Sequence, residues 1–281
     1  MCMGFGCNAC GVTGCRIIDS PRERLIAIIT NSFVPCNGRF PAIISLITIF
    51  FAGVVIAPLT SLATALMLML VILLGVAATF VVSKLLSLTL LKGQSSSFAL
   101  ELPPYRSPQI GKIIVRSIFD RTLFVLGRAV AVAAPAGLLI WLLANIEING
   151  ISIINYCTDF FDPFAQLFGM DGIILVAFIL GFPANEIVIP IMIMLYTHTG
   201  VLTDSSSLTQ LYSLFTANGW TITTALCVII FYLMHFPCST TCISIYKETK
   251  SLKWTLVSFF TPLLCGLLIC FAISSISKIF I

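Results

Sequence analysis

Three stretches of this sequence, Pro41–Ala57, Ser61–Val82 and Trp254–Ile276, contain no charged residue. Each has about the 17–25 residues that a helix rising about 1.5 Å per residue needs to cross roughly 30 Å of hydrocarbon. No water is present in that layer to satisfy a backbone, so a run of this kind takes the helical form, in which N–H and C=O groups bond within the segment. The composition points the same way. Only 9% of residues are charged, 59% are apolar and the mean hydropathy is +1.10, whereas a soluble domain carries roughly 25% charged residues. So few charges cannot cover a water-exposed surface. The expected fold is all-α: a polytopic transmembrane helical protein embedded in membrane lipid.

The formal charge of +4 does not form a nucleic-acid-binding face, because Lys and Arg are confined to a few loops, where they act as topology signals. A basic segment with Arg16, Arg22, Arg24 and Arg39 precedes the first apolar run. Pro58 marks a tight turn into the second. Lys84–Arg128, which includes the extended Leu102-Pro103-Pro104, is basic again and is expected in the cytoplasm. Its end, Lys112–Arg128, mixes basic and apolar residues as a surface-lying helix does, ahead of a third span over Leu123–Leu143. From Ala129 to Tyr246 there is no Lys or Arg, while Glu147, Asp159, Asp162, Asp171 and Asp204 mark loops expected outside.

Counting Gly172–Thr197 as one crossing would place Lys247, Lys250 and Lys253 outside, against the charge rule. The conflict disappears if this stretch enters and returns on one side, broken at Gly181-Phe182-Pro183-Ala184-Asn185 into two short half-helices. Thr223–Phe236 then crosses inward and Trp254–Ile276 outward, giving five spans plus a hairpin; a plain six-span count is the alternative.

Gly4-Phe5-Gly6-Cys7-Asn8 shares the pattern Gly-Phe-x-x-Asn with Gly181–Asn185, and each is followed by a Pro-Cys pair, Pro35-Cys36 and Pro237-Cys238. Paired helix breaks in two halves point to a transport site near the bilayer midplane. Glu186, directly after the Pro183 break, is the one carboxylate inside an expected membrane segment, where such groups mark ion or proton paths or bond, protonated, to a freed carbonyl. Cys7, Cys36, Cys238 and Cys242 lie beside Gly, Pro or Asn, where freed carbonyls can join thiolates around a soft or borderline metal; singly, each also reads as a packing residue. His235 is a ligand, a proton acceptor, or a helix-end histidine bonded to a carbonyl. Ser239, Thr240 and Thr241 line a polar path or bond back to their own helix, and His198 lies in a loop.

Cys7-Asn8-Ala9-Cys10 lacks a second pair for zinc and a βαβ setting for redox chemistry. No phosphate loop, HExxH or nucleophile elbow is present, so no enzymatic activity and no bound cofactor are expected of this chain. The N-terminal residues do not read as a signal peptide.

These motifs, with Pro35-Cys36-Asn37-Gly38-Arg39-Phe40-Pro41, Glu101-Leu102-Pro103-Pro104-Tyr105-Arg106 and His235-Phe236-Pro237-Cys238-Ser239-Thr240-Thr241, occur in an order that resembles the FeoB family of ferrous iron transporters, in its clostridial form. The resemblance implies a multi-pass protein of the bacterial inner membrane that moves Fe²⁺ into the cytoplasm through two gate regions. Residues 1–100 would hold a first-gate remnant and the C-terminal-type membrane region, and 101–281 the second gate. Cys7, Cys36, Cys238, Glu186 and His235 would meet the metal; Gly4, Gly6, Asn8, Gly181, Pro183, Asn185 and Pro237 would form the breaks. Ala9-Cys10-Gly11 departs from the family's Val-Pro-Ala after Asn8. The family's GTP-binding domain precedes the first gate, so GTP would act only through an N-terminal half or separate GTPase polypeptide, with a homo-oligomer also open. A nucleoside-type or organic-solute carrier and a non-transporting membrane scaffold are the competing readings.

Overall fold

The computed structural model describes residues 2–51, 60–92, 109, 111–112, 115, 124–148, 151–197 and 208–280. The expected turn at Pro58, the Glu101–Arg106 motif, His198, Asp204 and most of the surface segment Lys112–Arg128 lie outside them. Thirteen α-helices follow in order among the described residues. They are α1 (Cys2–Gly6), α2 (Asn8–Gly14), α3 (Pro21–Thr30), α4 (Phe40–Phe51), α5 (Thr60–Leu88), α6 (Phe124–Asn145), α7 (Ile153–Ala165), α8 (Gly172–Leu180), α9 (Val188–Thr197), α10 (Leu208–Ala217), α11 (Ile222–Met234), α12 (Ser239–Thr249) and α13 (Leu252–Phe280). A two-residue antiparallel pair, Glu147–Ile148 with Ile151–Ser152, links α6 to α7. The chain is an all-α polytopic membrane protein: among the described residues Ser61–Leu88, Ile222–Thr249 and Leu252–Ile279 are long and apolar enough to cross a membrane, whereas α4, in the first expected span, and Val130–Asn145 of α6, in the third, are shorter apolar helices.

Helices α7 and α10 form where the sequence reads as loop. α10 is held by what its apolar side meets: Phe215, fully buried, stacks on Trp220 at 4.4 Å, and Phe50 of α4 stacks on Trp220 at 5.6 Å. Helix starts follow capping chemistry. Ser20 precedes Pro21 at the first turn of α3, and the side chains of Asp171 and Thr221 accept from Ile174 N–H (2.7 Å) and Thr224 N–H (3.2 Å), which satisfies donors that a helix start leaves orphaned.

Contacts far apart in sequence fix which ends share a side. Arg16 pairs with Glu248 through two bonds of 2.6 and 2.7 Å, and Arg22 donates to Ser87 Oγ and to the Leu91 carbonyl just past α5. The N-terminal basic segment, the end of α5 and the Lys247–Lys253 loop therefore lie together. On the opposite side, Thr223 at the start of α11 meets Ser277 near the end of α13 at 3.0 Å, and Trp220 Nε1 donates to Tyr196 Oη at 2.7 Å.

This arrangement requires α8 and α9 to be re-entrant. Nine- and ten-residue helices reach only about 15 Å each, and Tyr196 near the end of α9 donates through its hydroxyl to Asp171, the cap of α8. The segment therefore ends where it began. Its tip is tight because Gly181 has no Cβ; one there would run into Val188 and lie 3.0 Å from the Ala177 carbonyl.

Candidate functional site: the crossing of two helix breaks

Between α1 and α2 a single residue, Cys7, is extended (φ −151°, ψ 126°). Between α8 and α9 the chain turns through Gly181–Ala184 and one 3-10 turn, Asn185–Ile187. A third interruption, His235–Cys238, separates α11 from α12, with Cys238 in the cap position of α12.

Each break is stitched to the Pro-Cys turn of its own half in nearly the same way. In the first half Asn37 N–H donates to the Gly6 carbonyl at 3.2 Å; in the second, Ser239 N–H donates to the Phe182 carbonyl at 3.0 Å. Both donors directly follow a Pro-Cys pair, although the accepting carbonyls differ by one place in the shared motif. A side chain then secures the motif's asparagine: Asn31 Nδ2 donates to the Asn8 carbonyl (2.9 Å), and Tyr232 Oη to the Asn185 carbonyl (2.8 Å). With its amide turned to face them, Asn8 itself donates to the Gly4 and Val34 carbonyls at 3.0 and 3.2 Å. Gly4 and Gly11 leave room for Asn31, whose Oδ1 would lie 2.7 Å from a Cβ at Gly4.

Several carbonyls released by the breaks thus accept hydrogen bonds from within the chain. Ser239 Oγ takes the Pro183 carbonyl (3.3 Å), and Cys242 Sγ takes that of Pro237 (3.6 Å).

The largest difference from the sequence reading concerns Arg39, which that reading placed in the basic segment before the first apolar run. It is 0% exposed. Its Nη1 donates to the carbonyls of Ser32 (3.1 Å) and Leu233 (2.8 Å), and its Nη2 to those of His235 (3.3 Å) and Phe236 (3.2 Å). No carboxylate accompanies it among the described residues. The end of α11 explains the site: a helix C-terminus leaves carbonyls orphaned and carries partial negative charge, and Pro237 has no N–H with which to continue the ladder. A planar fork of donors meets this need better than a point-charge ammonium.

The sequence-selected residues converge only in part. Cys238 Sγ sits 3.1 and 3.2 Å from the Thr240 and Thr241 hydroxyls. Glu186 reaches across from the second half to the first-half turn: a Cβ on Gly38 would be 3.0 Å from its Oε1. Glu186 is exposed on the surface of this chain. His235, buried, has both ring nitrogens engaged, Nδ1 with the Tyr232 carbonyl at 2.9 Å and Nε2 with the Asn185 side chain at 3.2 Å. The atom facing Nε2 is the Asn185 Oδ1, an acceptor. Among the described residues no three His, Cys, Asp or Glu side chains are gathered closely enough to hold a metal ion.

Fold and crossing together define a class, the polytopic membrane proteins with paired, broken gate helices. Within it, residues 68–120 match the family model for the ferrous iron transport protein B C terminus, and residues 126–252 match the gate model described as nucleoside recognition. The chain is similar along its whole length to the Fe(2+) transporter FeoB of Staphylococcus aureus strain MSSA476 (30% identity over 292 residues, 40% of that protein). It also resembles those of Synechocystis (27%, covering 96% of this chain and 42% of the relative) and Leptospira interrogans strain Fiocruz L1-130 (24%, covering 90% and 39%). No solved structure matches it significantly. The chain is similar to the C-terminal portion of these relatives, and it spans about 40% of the length of the curated relatives it matches.

Proposed function

We infer that this chain is the permease portion of a ferrous iron transporter of the bacterial inner membrane, passing Fe²⁺ toward the cytoplasm where the two helix breaks cross. The observation that carries this reading is the crossing itself. The Asn37–Gly6 bond sets the Cys36 turn against the Cys7 break, Arg39 ties that turn to the His235–Cys238 break, and Glu186 lies over the Gly38 turn, in a chain similar end to end to proteins named Fe(2+) transporters. Thiolate and carboxylate together suit a borderline divalent ion that must bind and also leave. Because Cys7, Cys36, Cys238 and Glu186 are not drawn into a closed ligand set, the metal would be met in passing rather than stored. The remaining length of the relatives would supply the other membrane helices and a GTPase, on the same or another polypeptide.

The test is anaerobic ⁵⁵Fe²⁺ uptake in cells lacking their own ferrous transporters, with this chain expressed alone and with the N-terminal portion of a relative. Uptake is expected only with both, and is lost in a Glu186→Ala, Cys7→Ala double variant. Absence of uptake despite confirmed insertion of both parts would reject the iron reading. The match to a nucleoside-recognition gate model favours a second reading, a nucleoside carrier. It predicts that excess uridine or adenosine competes with labelled solute uptake and that the double variant leaves that uptake intact.

A further inference from the structure

Among the described residues Arg39 is the one fully buried cation in the crossing, and it touches both halves. Its backbone N–H donates to the Cys36 carbonyl at 2.9 Å, and Phe40 N–H shares that acceptor at 3.3 Å, so a tight turn ties the guanidinium stem to Cys36. At its other end the guanidinium grips the carbonyls of His235 and Phe236, the residues immediately before Pro237-Cys238. Proline fixes its own φ, which makes the path from Phe236 to Cys238 short and stiff. The only links from Cys36 through Arg39 to Cys238 are one turn, one planar fork and one proline.

Two further features argue that this is more than a filled helix end. The fork spans carbonyls from separate elements, Ser32 beside α3 and Leu233 in α11, so it constrains the rotation of one half against the other as well as their distance. Arg39 Nε and Ser32 Oγ, both buried, have no partner; the side chain holds its place through the four carbonyls even though one donor stays unsatisfied. A cation kept under such conditions, without a carboxylate, is costly and is not explained by packing alone.

We propose that Arg39 is a positioning residue of the transport site, a strut that sets the separation of Cys36 and Cys238 across the two halves. This deepens the permease reading and rests on it for its role in transport, while the geometry can be tested without transport. Lysine at this position keeps the charge but offers donors from a single point, so it cannot hold four carbonyls of two elements at once. Alanine leaves a space shaped for a guanidinium ion.

The experiment is cross-linking of the full chain in native membranes with a short homobifunctional thiosulfonate, the Cys36–Cys238 product being quantified by mass spectrometry alongside thermal stability. The unsubstituted chain is expected to cross-link. Arg39→Lys is expected to remain inserted and folded but to lose about ten-fold of that product, and Arg39→Ala to regain it when millimolar guanidinium, but not sodium, is added. In the co-expression uptake assay, Arg39→Lys should reduce iron uptake in proportion. Cross-linking of Arg39→Lys equal to that of the unsubstituted chain, or no cross-link in the unsubstituted chain, would overturn the proposal. If cross-linking behaves as expected while neither chain takes up iron, the strut stands and the iron reading fails. If Arg39→Ala does not fold, Arg39→Lys decides the question alone.

Discussion

Gly38 illustrates how little of a site one residue type reveals. Its φ lies outside the left-handed region, so turn geometry does not demand glycine there; the demand comes from Glu186, whose Oε1 and Cγ would lie 3.0 and 3.1 Å from any Cβ. Because Glu186 is the exposed end of a flexible side chain, Gly38→Val should push the carboxylate aside at a stability cost within about 0.5 kcal/mol, the range of ordinary surface changes, while cutting co-expressed iron uptake several-fold. Thermal melting and uptake on the same membranes check this; a large loss of stability, or unchanged uptake, would show that the contact does not position Glu186. At this scale the sequence is a partial guide. The helix-breaking motifs and the paired Pro-Cys turns can be read directly, because Gly and Pro act locally. Arg39 cannot, because an arginine before an apolar run looks the same whether it faces a headgroup or plugs a helix end two hundred residues away. The one hint is its place in the first Pro-Cys turn, at the spacing from Pro35 that Thr241, also fully buried, has from Pro237.

At the scale of elements, the conflict in the charge pattern proves more informative than hydropathy. Gly172–Thr197 is apolar enough to pass for a span, and only the basic residues after Tyr246 require it to turn back. The closed ends of the hairpin, Asp171 with Tyr196 and Tyr196 with Trp220, are the physical form of that requirement. Tyr196→Phe removes a bond to a carboxylate and an acceptor for the indole, and should lower stability by about 1.5–3 kcal/mol, with amide exchange accelerating in α8 and α9 before α11; equal protection throughout would mean that the latch does not close the hairpin. The same topology predicts that Gln166→Cys and Thr197→Cys, both at exposed positions, react with a membrane-impermeant maleimide from the face opposite Lys250; labelling of the two from opposite faces would restore the six-span count. Helix α10 is not legible in the sequence because it is held by aromatic contacts of Tyr212 and Phe215 with the distant Phe50 and Tyr196, not by local apolar length.

For the whole molecule, the contrast between inner and outer helices sets what must surround it. The 28-residue stretch Ile222–Thr249, containing the third break, is 72% buried over its most apolar window, whereas Ser61–Leu88 and Leu252–Ile279 are each 22% buried. Polar breaks are kept inside, and α5 and α13 turn Leu, Val and Phe side chains outward, including Leu66, Leu70 and Leu73 of α5 and Leu264 and Leu268 of α13. Among the described residues these outward side chains meet no other helix, and a face this apolar is expected to meet hydrocarbon. Leu73, 55% exposed near the middle of α5, is the sharpest place to test this. Leu73→Arg should raise the apparent free energy of inserting α5 by about 2.5–3.5 kcal/mol, the penalty for arginine at a span's centre, as read from the ratio of glycosylated forms in a translocation assay. The result should be the same with the N-terminal portion of a relative co-expressed if the face meets lipid. Relief of the penalty on co-expression would instead assign that face to contact with the co-expressed portion, because only a protein or aqueous surface can receive the charge where hydrocarbon would not.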